Sequence, residues 1–458
     1  MRLYTGATVL TIDQDRRVLT DGALAVDGDT LTAVGPRQEL EARYPSAERI
    51  ELGGGIVLPG LVNTHVHMAQ CILRGCSDNA DTYTWLKEHV FPLQGNMDSS
   101  DAVASARLCL AEMLRGGTTA FIETQVARNY SFDRLAATVA DSGIKAILGK
   151  VVMERPGPGS MLHPNQHDDL DTSLATAREA HARWDGSADG RLRVGLAPQW
   201  TGGFAAKALE ECAKLAGETG MHINMHFAQS PGELAAVRER FGMGATALLE
   251  TLGMLGPDVL LVHCTALEDE DVARIGRTGT HVSHNPASNL KQAFGLPPVL
   301  KLLEAGGNVG LGTDGGPVNN GYDLLRDLRL VGMAHRTKAK DPTIMPPETV
   351  LELATIGGAR AMGLGDQIGS LEAGKRADFI HLDTRSAFLA PDVNPVSVAV
   401  YGATGRDVDL VVIDGRHVVE GGRLLTMDEQ AVVAEAVARA PGTYARAGVG
   451  TSMLWKMG

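Results

Sequence analysis

Five residues of this chain have types and positions that suit one chemistry, the activation of water by a bound metal: His65, His67, His226, His263 and Asp314. The first two stand in Asn63-Thr64-His65-Val66-His67, directly after the apolar run Gly55–Val62, which reads as a buried strand. Alternate side chains of a strand point the same way, so His65 and His67 project together and Val66 projects opposite. Two imidazoles converging at a strand end can chelate a transition metal. A lone His-x-His pair is common on surfaces. Its weight comes from the strand candidates that follow, which end in His226, His263 and Asp314. A single buried histidine is more often a hydrogen-bonded core residue. Four imidazoles and a carboxylate at the ends of four strands suit a divalent metal with a catalytic water.

Roles follow from the chemistry. His65, His67 and His226 read as neutral ligands, and Asp314 as a ligand that also takes a proton from the water. His263 is placed to orient the water or to stabilise the oxyanion formed on attack. Cys264, its neighbour on a strand, points the other way and reads as packing.

The elements that must position these residues form a pattern. Residues 1–54 carry short strand-like runs (Thr8–Ile12, Gly22–Val26 and Thr30–Val34), with a hairpin signal at Asp27-Gly28-Asp29. From residue 55 buried strands alternate with helical stretches. The strand candidates are Ile56–His67, Thr118–Glu123, Lys145–Met153, Leu192–Gln199, His222–Ala228, Val259–Thr265, His281–Pro286 and Val309–Gly316. Eight β/α units predict a distorted (β/α)8 TIM barrel over 55–365, whose active site sits at the C-terminal ends of the strands. An open doubly wound sheet is the alternative, but no Gly-rich phosphate loop follows the first strand. Past residue 365 short strands return at Ala377–Leu382, Val396–Tyr401, Asp409–Ile413 and His417–Val419. These are expected to join residues 1–54 in a small composite β-sandwich, with its second part over 366–425. A helix at Asp428–Ala438 and a tail bearing Met453-Leu454-Trp455 complete 426–458; the tail packs either on a neighbouring subunit or at home.

Composition narrows the class. The 458 residues, 44% hydrophobic and 21% charged, are ordinary for a soluble globular protein of one barrel-sized domain and a smaller companion. A net charge of −13 with no Lys/Arg run argues against nucleic acid or an anionic membrane as partner. Five cysteines without a Cys-x-x-Cys pair read as reduced, buried thiols of a cytoplasmic protein. No signal-peptide core and no membrane-length apolar segment is present.

Four stretches carry a family resemblance: Pro59–His67, Ser283-His284-Asn285-Pro286-Ala287-Ser288-Asn289-Leu290-Lys291, Leu311-Gly312-Thr313-Asp314-Gly315 and Gly369–Asp378. Together with Trp85-Leu86 and Asn319-Asn320 they make the chain similar, over nearly its whole length, to the amidohydrolase superfamily. The branch it resembles is the ATZ/TRZ group of cytosine, guanine and S-adenosylhomocysteine deaminases and triazine hydrolases. The resemblance implies one divalent metal (zinc first, with iron, cobalt or manganese as alternatives) and the composite β domain. It also implies a homodimer or larger homo-oligomer. Two-metal branches use a carboxylated lysine on strand four, where Gln199 and Trp200 stand here; Lys150 on strand three reads as structural.

The departures from that branch shape the substrate expectation. The deaminases carry a Glu three residues after the strand-five histidine, which protonates the ring nitrogen. Gln229 stands there and cannot deliver a proton at neutral pH. Where the adenosine-type relatives have a ribose-binding Glu before the Trp, this chain has Thr84; where they have a His after the strand-four Pro, it has Gln199. A small neutral amide, urea or (thio)carbamate is therefore the expected substrate, as in the phenylurea and thiocarbamate hydrolases that this chain resembles. The alternative is an aminohydrolase or dechlorinase of a purine, pyrimidine or s-triazine. A non-catalytic scaffold on a degenerate barrel would require a broken ligand set, and all five positions are filled.

Met68, Trp85, Phe91, Met153 and Trp200 are candidates for an apolar pocket, against ordinary barrel packing for each. Arg155, on the Gly/Pro-rich rim loop Glu154–Gly159, either contacts substrate or caps the loop. His163 and His167 belong to a solvated loop or a lid rather than a second metal site. His222 is expected deep in the barrel, and His284 as a substrate contact or a partner of Asp314.

Overall fold

The structure is a computed structural model, and it describes residues 1–154, 161–199 and 206–450. Arg155, Trp200 and the tail Met453–Trp455 lie outside the described residues.

Eight strands close into a parallel barrel in chain order: Leu61–His67, Thr118–Val126, Lys145–Val152, Leu192–Pro198, His222–Phe227, Val259–His263, His281–His284 and Asn308–Leu311, the last pairing back to the first. These strands are almost wholly buried, which explains their continuous apolar character. The eighth is shorter than expected. Asp314 lies beyond it, on a two-residue strand Asp314–Gly315 whose partners are Val66 and His67 of the first strand. That pairing brings the carboxylate beside the histidine pair.

A second sheet of nine strands draws on both ends of the chain, from Arg2–Leu10 to Arg423–Leu424. One of its faces buries Tyr4, Val9, Leu24, Val57, Phe379 and Leu410; the other buries Leu3, Ala23, Ala25 and Ala33 with Leu40 of the helix Arg37–Arg43. The run expected as one strand, Ile56–His67, divides at Gly60. Ile56–Pro59 pairs antiparallel with Phe379–Leu382 in this sheet, whereas Leu61–His67 enters the barrel. Only glycine fits at the division, since a Cβ on Gly60 would stand 2.1 Å from Oγ1 of Thr119.

Two expectations are corrected. Val396–Tyr401, read as a strand from its β-branched residues, is the helix Pro395–Tyr401. Asn394 caps it by accepting from Ser397 N–H, and Pro395 occupies the first turn, where its missing N–H costs nothing. The C-terminal helix does not stop at Ala438 but runs Glu429–Ala447 through Pro441. Arg439 and Arg446 on that helix both pair with the buried carboxylate of Asp101, which holds the helix past the proline.

By contact density the chain divides into two units. One comprises Met1–Asn63, Glu112–Phe121 and Asp323–Met427, the other Thr64–Ala111, Ile122–Tyr322 and Asp428–Gly458. The residues of the candidate site all belong to the second. No described helix is long and apolar enough to cross a membrane.

Candidate active site

Period-two alternation does what the sequence implies. His65 and His67 lie on one side of the first barrel strand, their ring centroids 4.7 Å apart. His226 stacks on His67 at 5.3 Å and His263 stacks on His226 at 5.5 Å, so four imidazoles from three strands meet. Asp314 completes the cluster. Its Oδ1 lies 3.4 Å from Nε2 of His65 and 3.5 Å from Nε2 of His67, and Nε2 of His67 lies 3.3 Å from Nε2 of His226. A tetrahedral metal with bonds of about 2.0–2.1 Å would hold its ligand atoms roughly 3.3–3.4 Å apart. Two overlapping donor groups, His65 with His67 and His226, and His65 with His263 and Asp314, each bring their ligand atoms within 4.8 Å of one another, and such groups fit a divalent metal. His263 stands differently, with Nε2 3.6 Å from the other carboxylate oxygen, Oδ2.

Each of these groups is held from behind. Nδ1 of His65 bonds Oγ1 of Thr124 on the second strand at 2.6 Å, leaving Nε2 for the cluster. Nδ1–H of His263 donates to Oδ1 of Asn289 at 2.9 Å, which turns its Nε2 toward Asp314. Oγ of Ser288 donates to Oδ2 of Asp314 at 2.7 Å. Ser288 and Asn289 sit on the helix Pro286–Lys291, so the stretch Ser283–Lys291 supplies the supports of two site residues. Gly312 is needed for the approach, because a Cβ there would stand 2.6 Å from Cβ of His65. His263, Cys264, Asp314 and Ala228 all have positive φ, at 74°, 54°, 65° and 50°. Non-glycine residues in this region store strain and cluster at functional sites.

Burial sets the protonation states. It drives His67 down to about 3, aided by His65, and His263 to about 4 against the pull of Asp314. It also holds His226 well below the ordinary range. For Asp314 burial works the other way, but His65, His263 and His67 outweigh it and keep the carboxyl well below its usual range. Neutral His67, His226 and His263 beside an ionised Asp314 are states that a metal site needs.

A cleft opens over His67, His226, His263 and Asp314. One part of its lining is apolar: Trp85, Leu86, Val90, Phe91, Phe294 and Val318. Trp85 opens a π-helical stretch, Trp85–Val90, a distortion frequent at functional sites. The polar part is unusual in kind. It consists mainly of carboxamides, from Gln70, Gln94, Gln125, Gln199 and Gln229, and Asp314 is the sole carboxylate among the described lining residues. Glu233 does not substitute for the missing acid at Gln229. Its two oxygens accept the backbone N–H groups of Ala228 (2.7 Å) and Gln229 (2.9 Å).

Of the substrate candidates, Trp85, Gln199, Gln229 and Phe91 line the cleft. His284 is fully buried and not part of the lining; its carbonyl accepts from Gly312 N–H. Met68 and Met153 are packing residues, Met153 in a cluster with Phe91, Val151 and Leu162. His222 is buried, as expected. His163 and His167 hold their own loop, through the N–H of Asn165 and the carbonyl of Leu162. Lys150 is buried, its Nζ facing the carbonyl of Val151. All five cysteines are buried, and none of them forms a disulfide.

The sequence reading missed Gln70, Gln94, Gln125, Ser288 and Phe294. Gln125 was within reach, since the second strand was read to Glu123 and continues to Val126, placing Gln125 on the rim.

Known proteins agree with the geometry. The chain matches the Amidohydrolase family over residues 56–418, and residues 22–47 match a bacterial imidazolonepropionase-like composite domain. It is 37% identical over 432 residues to a 5-methylthioadenosine/S-adenosylhomocysteine deaminase of Syntrophobacter fumaroxidans, covering 94% of this chain and 95% of that one. A 5'-deoxyadenosine deaminase of Methanosarcina acetivorans is 34% identical, with 97% and 99% covered. Among solved structures, a zinc-bound adenosine deaminase from Xanthomonas campestris superposes with a TM-score of 0.90 at 30% identity, covering 97% and 98%. A Glu-to-Gln variant of an atrazine chlorohydrolase from Arthrobacter aurescens, complexed with zinc and atraton, superposes at 0.87 with 26% identity, covering 96% and 100%. This chain belongs to the amidohydrolase superfamily, in the branch of the deaminases and triazine hydrolases, and is a hydrolase of carbon–nitrogen bonds other than peptide bonds.

Proposed function

We propose that the enzyme uses one zinc ion to hydrolyse an exocyclic bond of a small, uncharged N-heterocycle, as an aminohydrolase or dechlorinase. The observation that carries this reading is the whole-chain likeness to adenosine-type deaminases. It outweighs the expectation of an amide or urea substrate drawn from Gln229, Thr84 and Gln199. Zinc is supported by its presence in both structural relatives.

His65, His67, His226 and Oδ1 of Asp314 would hold the metal, which when bound lowers the pKa of a water in the cleft toward neutrality. Asp314 takes the proton of that water through Oδ2, where Ser288 steadies it and His263 stands 3.6 Å away. Water's oxygen bonds to the ring carbon, the bond to the amine or halide breaks, and the proton passes to the leaving group. His263 stabilises the negative charge that builds during attack. Gln229 donates a hydrogen bond from its carboxamide to a ring nitrogen without transferring a proton. The reading also implies a cytoplasmic enzyme, supported by five buried cysteines that form no disulfide.

A second reading has its own support. A cleft whose only carboxylate among the described residues is Asp314 suits a neutral urea, amide or (thio)carbamate, which needs no separate acid for a ring nitrogen. The test is a product assay on zinc-loaded enzyme with aminopurines, aminopyrimidines and triazines beside aryl ureas, carbamates and anilides. Ammonia or chloride from a heterocycle is the expected result. Substituted amine from a urea or amide, with no ammonia, would replace the first reading by the second.

A further inference from the structure

Lys291 ends the short helix Pro286–Lys291, whose Ser288 and Asn289 hold Asp314 and His263. An ammonium has three N–H donors and no acceptor, so the direction of each of its bonds is unambiguous. Three oxygens meet it. Nζ lies 2.9 Å from the carbonyl of Pro317, 2.8 Å from Oδ1 of Asn320 and 2.6 Å from Oδ1 of Asp78. These acceptors belong to two other segments that follow barrel strands. Pro317 and Asn320 come shortly after Asp314, and Asp78 lies between His67 and Trp85. All three segments line the cleft: Trp85 and Leu86 from the one after the first strand, Ser288 and Phe294 from that of Lys291, Asp314 and Val318 from the last. The path from Asp78 to Trp85 is short and is itself tied. Asp81 caps the turn Thr82–Thr84 by accepting from the N–H groups of Tyr83 and Thr84.

We propose that Lys291 is a positioning residue that fastens the apolar side of the cleft to the side that carries Asp314. Its bonds to Pro317 and Asn320 keep the helix of Ser288 against the segment of Asp314. Its ion pair with Asp78 keeps the segment of Trp85 and Leu86 against both. The proposal rests on the reading that this cleft takes an uncharged molecule, and adds what holds the apolar side in place for it.

The test joins calorimetric binding by zinc-loaded enzyme to zinc affinity, measured by competition with a chelator dye. Trimethoxy-s-triazine and phenylurea serve as uncharged probes. Asp78→Ala cuts only the arm to the apolar side. It is expected to weaken probe binding about two- to fivefold, the worth of a partly exposed ion pair, and to leave zinc affinity at the wild-type value. Lys291→Met keeps an unbranched stem but removes every donor. It should weaken probe binding at least as much, and zinc affinity as well by about two- to tenfold, because the support of Ser288 and Asn289 loosens too. In the double variant Asp78→Ala should add nothing to Lys291→Met, since the pair it breaks is already gone. Unchanged probe binding in Asp78→Ala, a fall in zinc affinity there equal to the fall in probe affinity, unchanged zinc affinity in Lys291→Met, or additive effects in the double variant each overturn the proposal alone. Wild-type enzyme that binds neither probe overturns the uncharged-substrate reading and the proposal with it.

Discussion

The floor of the cleft and its wall are built on different terms. On the floor each reacting group is fixed by a partner behind it: His65 by Thr124, His263 by Asn289, Asp314 by Ser288. Coordination geometry leaves those groups little freedom in type or place. On the wall the polar groups are carboxamides. That of Gln229 makes no hydrogen bond within the protein among the described residues, and those of Gln125 and Gln199 bond only to each other. The difference teaches where substrate choice resides. On the reading proposed above, the chemistry of attack belongs to the floor, and a one-atom exchange of nitrogen for oxygen at Gln229 of the wall should change which leaving group is served.

Variants can break this contrast from either side. The largest effect should come from the floor: Asp314→Asn is expected to lower kcat by about 10²–10⁴, since it removes the proton acceptor and a ligand oxygen together. Wild-type-like turnover in that variant would remove Asp314 from the chemistry. Next, replacing Ser288 or Asn289 by Ala should weaken zinc affinity or activity by about 10–100-fold, measured by competition with a chelator dye and by initial rates. Such a variant with both quantities unchanged would show that the support behind the ligands is not needed.

Gln229→Glu restores a proton-delivering group to the wall. It should raise ammonia release from aminopurines and aminopyrimidines by about tenfold or more and leave any release of substituted amine unimproved. An equal gain on ureas would mean that the wall does not choose the leaving group. The smallest effect involves a residue of neither region. Asp101→Ala should cost about 1–3 kcal/mol in denaturant unfolding, because Asp101 is buried and anchors Arg439 and Arg446 of the helix Glu429–Ala447, with kcat unchanged.

The floor was largely legible in the sequence because its signals are short-range. His65 and His67 lie two apart on a strand, and His226, His263 and Asp314 each follow an apolar run. The barrel itself followed from the same alternation of runs. What escaped depends on contacts between segments distant in sequence. The helix Pro286–Lys291 must be docked before Asn289 is seen to hold His263, 26 residues away. Gln125 and Gln199 lie 74 residues apart and meet only because the second and fourth strands stand near each other on the rim. Local composition also misled where it competed with caps: the β-branched residues of Val396–Tyr401 argued for a strand, and Asn394 with Pro395 decided for a helix.

The most direct test is metal stoichiometry joined to activity. Purified enzyme is stripped with a chelator, titrated with zinc, and assayed at each step on whichever substrate the product screen identifies. A single metal centre at His65, His67, His226 and Asp314 predicts that activity vanishes on stripping and returns linearly, reaching its maximum at one zinc per chain. Full turnover by the stripped enzyme, or a maximum only at two zinc ions per chain, would contradict it.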